Sequence, residues 1–142
     1  MLTRDAVYQA FYDDDLTRGF LHSHSYTGNA LACRAALATL DIFDDERVIE
    51  ANKAKASALN QASRELAQHP KTRNFRNTGM IWAFEVETGD GDFARRFFEQ
   101  ALARELLLRP IGNTVYFMPP YVISSDEIAL LTQRTLEIVA QA

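Results

Sequence analysis

Apolar positions recur along this chain at two spacings, helical in the first half and alternating in much of the second. Ala6, Val7, Ala10 and Phe11 repeat at helical spacing, so residues 3–20 read as a helix and a polar linker, with Asp13-Asp14-Asp15 breaking the pattern. Leu31, Ala35, Leu37, Leu40, Ile42 and Phe43 predict an apolar helix unusually rich in small residues. Asp44-Asp45-Glu46 then restarts the chain into a helix over residues 45–68, its acids suited to the positive end of the helix dipole. Val48, Ala51, Ala58, Leu59, Ala62 and Leu66 supply its stripe, while Lys53, Lys55, Arg64 and Glu65 face water. His69-Pro70 ends it, because the residue before a proline is pushed out of helical geometry.

The period changes after Pro70. Arg73–Arg76 reads as a first strand, and Gly79 turns into a second over Met80–Glu87. Met80, Trp82, Phe84 and Val86 share one face and Ile81 and Ala83 the other, which marks a sheet with one covered face. After the turn Thr88–Gly91, Asp92 is placed to cap a helix bearing Phe93, Phe97, Phe98, Ala101 and Leu102. Leu106–Pro110 reads as a short buried strand, and Gly112-Asn113 turns it into Thr114–Met118, a predicted hairpin ended by Pro119-Pro120. Ser124 and Glu127 have capping-box spacing, and Ile128, Leu131, Thr135 and Ile138 share a face of the last helix. Long helices followed by a β-β-α-β-β-α unit predict an α+β fold: a small, mostly antiparallel sheet with helices on one face. The expected division is residues 1–44, then an α+β domain over 45–142.

Composition narrows the class. A chain of 142 residues supports one domain with a real core, and 47% hydrophobic with 24% charged residues is ordinary for a globular protein. A net charge of -4 argues against general nucleic-acid binding. Met1–Asp5 shows no secretory pattern, and no apolar run is long enough to span a bilayer. The single cysteine, Cys33, has no internal disulfide partner, and it reads as a buried inert thiol of a cytosolic protein.

Two places carry candidate chemistry. Between Phe20 and Asn29 lie His22, Ser23, His24, Ser25 and Thr27, followed by Gly28 and a capping Asn29 before a helix. Hydroxyl donors just before a helix N-terminus suit an anion such as phosphate; the plainer reading is a polar loop leading into a capped helix. Arg109 follows three leucines and precedes Pro110, so it sets a fixed charge at a strand end, where a guanidinium can clasp a carboxylate in two-pronged geometry. The competing reading has it snorkel to the surface or pair with a local acid such as Glu105. Tyr116, on the facing strand, is placed either to offer its hydroxyl to the same site or to pack half-buried. The histidines His22, His24 and His69 lack the partners of a zinc site, and no metal is expected. No nucleophile elbow, P-loop or dinucleotide fingerprint occurs.

His22-Ser-His-Ser-Tyr-Thr-Gly-Asn-Ala-Leu-Ala-Cys33, Leu108-Arg-Pro110 and Tyr116-Phe-Met-Pro-Pro-Tyr121 together resemble the C-terminal part of class III, fold-type I aminotransferases. Within that class they are most similar to the diaminopelargonate-forming branch of biotin biosynthesis. Arg76-Asn-Thr-Gly79 resembles the Arg-x-x-Gly that opens the class's C-terminal central strand. The resemblance implies a pyridoxal 5′-phosphate enzyme that converts 8-amino-7-oxononanoate to 7,8-diaminononanoate with S-adenosylmethionine as amino donor. It further implies a homodimer in which the loop before the small-residue helix reaches the partner's cofactor phosphate. On that pattern His24 and Ser25 bind the cofactor, Ser23 lies near the substrate, and Arg109 holds the substrate carboxylate.

The class also needs a Schiff-base lysine, which in the family precedes this motif. Here no lysine precedes the loop, and Lys53, Lys55 and Lys71 all lie on or after the second long helix. The chain is therefore expected to be a C-terminal fragment that does not transaminate alone. Residues 1–44 would be the tail of the large domain with the interface loop and linking helix. The alternative is a non-catalytic dimerisation or binding module with the same fold.

Overall fold

A computed structural model describes residues 3–19, 27–89 and 91–141. The chain divides into two compact units, Met1–Asp41 and Ile42–Ala142.

In the first unit, helix α1 (Asp5–Phe11) is followed by a turn in which Asp13 and Asp15 accept backbone hydrogen bonds from Asp15 and Thr17, at 2.9 and 3.0 Å. Arg18 closes that turn with a 2.8 Å ion pair to Asp13. Helix α2 (Ala30–Asp45) begins where Gly28, at φ +71°, takes a left-handed conformation that side chains disfavour. Asn29 caps it, its Oδ1 accepting from the Ala32 N–H at 3.1 Å. Cys33, expected to be buried, is exposed.

The acids Asp44 and Asp45 do not open the next helix; they end α2, and Arg47 in left-handed geometry (φ +47°) separates it from α3 (Val48–Ala62). A second break at Ser63 gives a short α4 (Arg64–Gln68). The apolar stripe also shifts. Asn52, Leu59, Ser63 and Leu66 turn inward, whereas Ala51, Ala58 and Ala62 are exposed. Alanine gains little from burial, so the larger leucines decide which face packs.

Strands β1 (Thr72–Thr78), β2 (Ile81–Val86) and β3 (Thr114–Phe117) form an antiparallel sheet in the order β1-β2-β3. Gly79, at φ +55°, makes the tight β1–β2 connection, and a bulge at Asn74 (φ +51°) adds one residue between the pairs Arg73–Glu85 and Arg76–Ala83. Trp82, Phe84, Val86, Val115 and Phe117 cover the inner face, sealed by Leu59, Leu66, Phe97, Ala101, Ile138 and Val139 from the helices. This is the predicted α+β arrangement.

Two expectations fail locally. Leu106–Pro110 is not a strand, and Thr114–Phe117 pairs with β2, not with residues 106–110. Only a bridge between Ile111 and Thr114 remains of the predicted hairpin. Asp92 stands at the N-cap of α5 (Phe93–Ala103) but makes no side-chain capping bond, its carboxylate accepting instead from Arg95 at 2.6 Å. Helix α6 (Ser125–Gln141) starts as expected. Glu127 Oε2 accepts from the Ser124 N–H at 2.7 Å, and Ser124 Oγ accepts from the Glu127 N–H at 3.2 Å.

Candidate active site

Helix α5 ends in two capping bonds, from the Glu105 N–H to Leu102 O (3.0 Å) and from the Leu106 N–H to Ala101 O (2.8 Å). Glu105 occupies the left-handed position of this motif at φ +61°, where glycine is usual. The chain then runs extended. Leu106 and Leu108 point into the core, and Leu107 and Arg109 alternate outward. Gly112, at φ +59°, reverses the chain so that Ile111 and Thr114 exchange backbone hydrogen bonds of 2.9 and 3.0 Å.

That reversal brings Arg109 and Tyr116 to the wall of one hollow of about 400 Å³, whose apolar lining includes Leu107, Met118 and Leu130. Tyr116 is half-buried on the sheet's outer face, opposite Ala83 of β2. Two acids, Glu105 and Glu127, also line the hollow. Neither meets Arg109. Glu105 accepts from Arg134 Nη1 at 2.8 Å, and Glu127 accepts from the Ser124 N–H and hydroxyl at 2.7 and 2.9 Å. Those two bonds from Ser124, backbone first, hold the Glu127 carboxyl below its ordinary range. Among the described residues, the Arg109 guanidinium has neither an ion pair nor a hydrogen bond. Of the two competing expectations, pairing with Glu105 is not adopted, whereas Arg109 does reach the surface and is exposed.

The hollow thus presents one uncompensated cation over apolar walls, a donor set matched to a carboxylate on an aliphatic chain. His22, Ser23, His24 and Ser25, the loop residues expected at cofactor and substrate, lie outside the described residues. No group of three or more metal-ligating side chains occurs among the described residues, and no helix among them is long and apolar enough to cross a membrane. Sequence reasoning missed Arg134, 29 positions from the acid it holds. It found the Ser124–Glu127 box but had no signal that Glu127 would face the hollow.

The chain belongs to the class-III aminotransferases: the family model described as "Aminotransferase class-III" matches residues 1–139. Its curated relatives narrow the likeness to adenosylmethionine-8-amino-7-oxononanoate aminotransferases. The Helicobacter pylori protein of that name is 42% identical over 98% of this chain and 33% of its own length. The Synechococcus elongatus protein is 36% identical over 87% of this chain and 30% of its own. The crystal structure of the Methanocaldococcus jannaschii enzyme superposes with a TM-score of 0.79 at 31% identity, covering 99% of this chain and 34% of that one. The chain spans about a third of the length of the curated relatives it matches. Class-III aminotransferases are pyridoxal 5′-phosphate enzymes.

Proposed function

We propose that this chain forms the C-terminal part of a transaminase that converts 8-amino-7-oxononanoate to 7,8-diaminononanoate with S-adenosylmethionine as amino donor. The observation that carries the reading is the unpaired Arg109 guanidinium at an apolar hollow whose two acids are both engaged elsewhere. Arg109 holds the substrate carboxylate, Tyr116 orients it, and the apolar wall takes the aliphatic chain. The relatives named above support this substrate.

Pyridoxal 5′-phosphate supplies the electron sink for moving an amino group between carbons. The donor chemistry fits its phosphate: the serines and histidines of residues 22–25 lead into the Gly28 turn and the Asn29-capped N-terminus of α2. On this reading Ser25 donates to the phosphate, His24 flanks it and Ser23 lies near the substrate. The chain's lysines do not supply the Schiff base. Lys55 and Lys71 donate to the carbonyls of Tyr121 and Ala140, and Lys53 follows the loop on α3. The chain alone is therefore inactive, and in the assembled enzyme the loop serves the second subunit of a cytoplasmic homodimer.

The test joins this chain to the N-terminal two-thirds of the Helicobacter pylori relative in place of the matching third. Formation of 7,8-diaminononanoate from 8-amino-7-oxononanoate is expected from the joined protein and not from this chain alone. A folded, cofactor-loaded chimera that ignores this substrate would overturn the reading.

A further inference from the structure

One exposed acid of the hollow, Glu105, is engaged by an arginine other than Arg109. Glu105 pays a backbone cost to sit at φ +61°, where glycine would be free of strain, yet its side chain is 81% exposed. Arg134, from α6, binds its carboxylate at 2.8 Å and also donates to the Arg104 carbonyl beside it. Arg134 is half-buried and its guanidinium is held by that second acceptor, while Glu105 stays exposed, so the pair is a modest, solvent-screened one. Glu105, Leu107 and Arg109 alternate with the buried Leu106 and Leu108, and they line the same hollow. An extended run of four residues spans about 13 Å, within the combined reach of an arginine and a glutamate.

We infer that Arg134 is a positioning residue for carboxylate binding: by holding Glu105 it keeps an acid of the same hollow from neutralising Arg109. The inference rests on the carboxylate role proposed for Arg109. Without Arg134, Glu105 swings along the extended segment and competes with the incoming carboxylate. Arg104 does not share the task, since it lies against Glu137 at 3.7 Å and Gln141 at 3.1 Å.

The probe is octanoate, with neutral octanamide as control, titrated into the 142-residue chain by NMR in about 0.3 M salt, which damps the field of distant charges. Arg134→Met is expected to weaken octanoate binding about fivefold, the range of one modest ion pair. Adding Glu105→Gln should restore affinity to within about twofold, whereas a merely structural role for Arg134 would not be rescued. Arg104→Met, which removes an equal charge but leaves the clasp, should change nothing. Leu107→Glu, at an exposed site, should weaken binding as Arg134→Met does, and it decides the matter if thermal melts show Arg134→Met unfolded. Unchanged binding in Arg134→Met or Leu107→Glu, absent rescue, or an equal loss in Arg104→Met overturns the inference. Octanoate binding that is absent in the parent, or that survives Arg109→Ala, overturns the carboxylate role itself.

Discussion

Trp82 donates its indole N–H to Asn60 Oδ1 at 2.7 Å, tying the middle strand of the sheet to helix α3. Trp82 is fully buried, so the indole has no water to turn to if that acceptor is lost. Asn60→Ala should therefore destabilise the chain by about 1–3 kcal/mol, the cost of an unsatisfied buried donor. Urea denaturation checks this, and an unchanged midpoint would show that the bond contributes nothing.

Thr135 presents the opposite case. It is fully buried on α6, and its hydroxyl oxygen has no hydrogen-bond partner. Thr135→Val removes that polar atom at nearly constant volume, so stability should stay level or rise by about 1 kcal/mol. A clear loss in the same denaturation assay would mean that the hydroxyl is satisfied in solution.

The Ser124–Glu127 box gives stability a pH dependence. Hydrogen bonds from Ser124 lower the Glu127 pKa in the folded chain. A depressed carboxyl favours folding above its unfolded pKa, and that contribution disappears as pH falls through the folded value. Thermal melts across the acid range should show a loss that Glu127→Gln flattens. An identical pH profile in the variant would remove Glu127 from the cap.

Helix α2 leaves Leu31, Leu37, Leu40 and Ile42 at least half exposed. Such a run of apolar side chains drives association, so the chain should self-associate with rising concentration. Replacing Leu37 and Leu40 with glutamate should shift it toward monomer. Sedimentation velocity reads the outcome, and a parent chain that stays monomeric throughout the micromolar range contradicts it.

The strongly patterned parts of this fold were legible from residues alone. Alternation over Trp82, Phe84 and Val86 placed the central strand and its buried face, and the Ser124–Glu127 spacing placed the start of α6. Boundaries set by long-range packing were not. The acids at residues 44–46 resemble a helix start, but α2 runs through Asp45 and the break falls at Arg47, whose left-handed geometry leaves no sequence mark. Leu106–Leu108 looks like a strand because its leucines are apolar. Without a neighbour to pair with, it remains an extended lining segment while β3 takes the edge of β2. At the site, Arg109 stood out by type and position, and the resemblance pointed to its role. That it would be unpaired depended on Arg134 and Ser124 claiming the nearby acids, contacts that only the folded chain reveals.

The central claim is that Arg109 holds a substrate carboxylate, and its most direct test is steady-state kinetics of the assembled chimera on 8-amino-7-oxononanoate. Losing a charge-assisted, two-pronged pair with the substrate should lower kcat/KM for Arg109→Ala by about 2 kcal/mol, roughly thirtyfold. Arg109→Lys should recover only part of it, because an ammonium cannot reproduce the planar fork. A kcat/KM unchanged in Arg109→Ala would contradict the account.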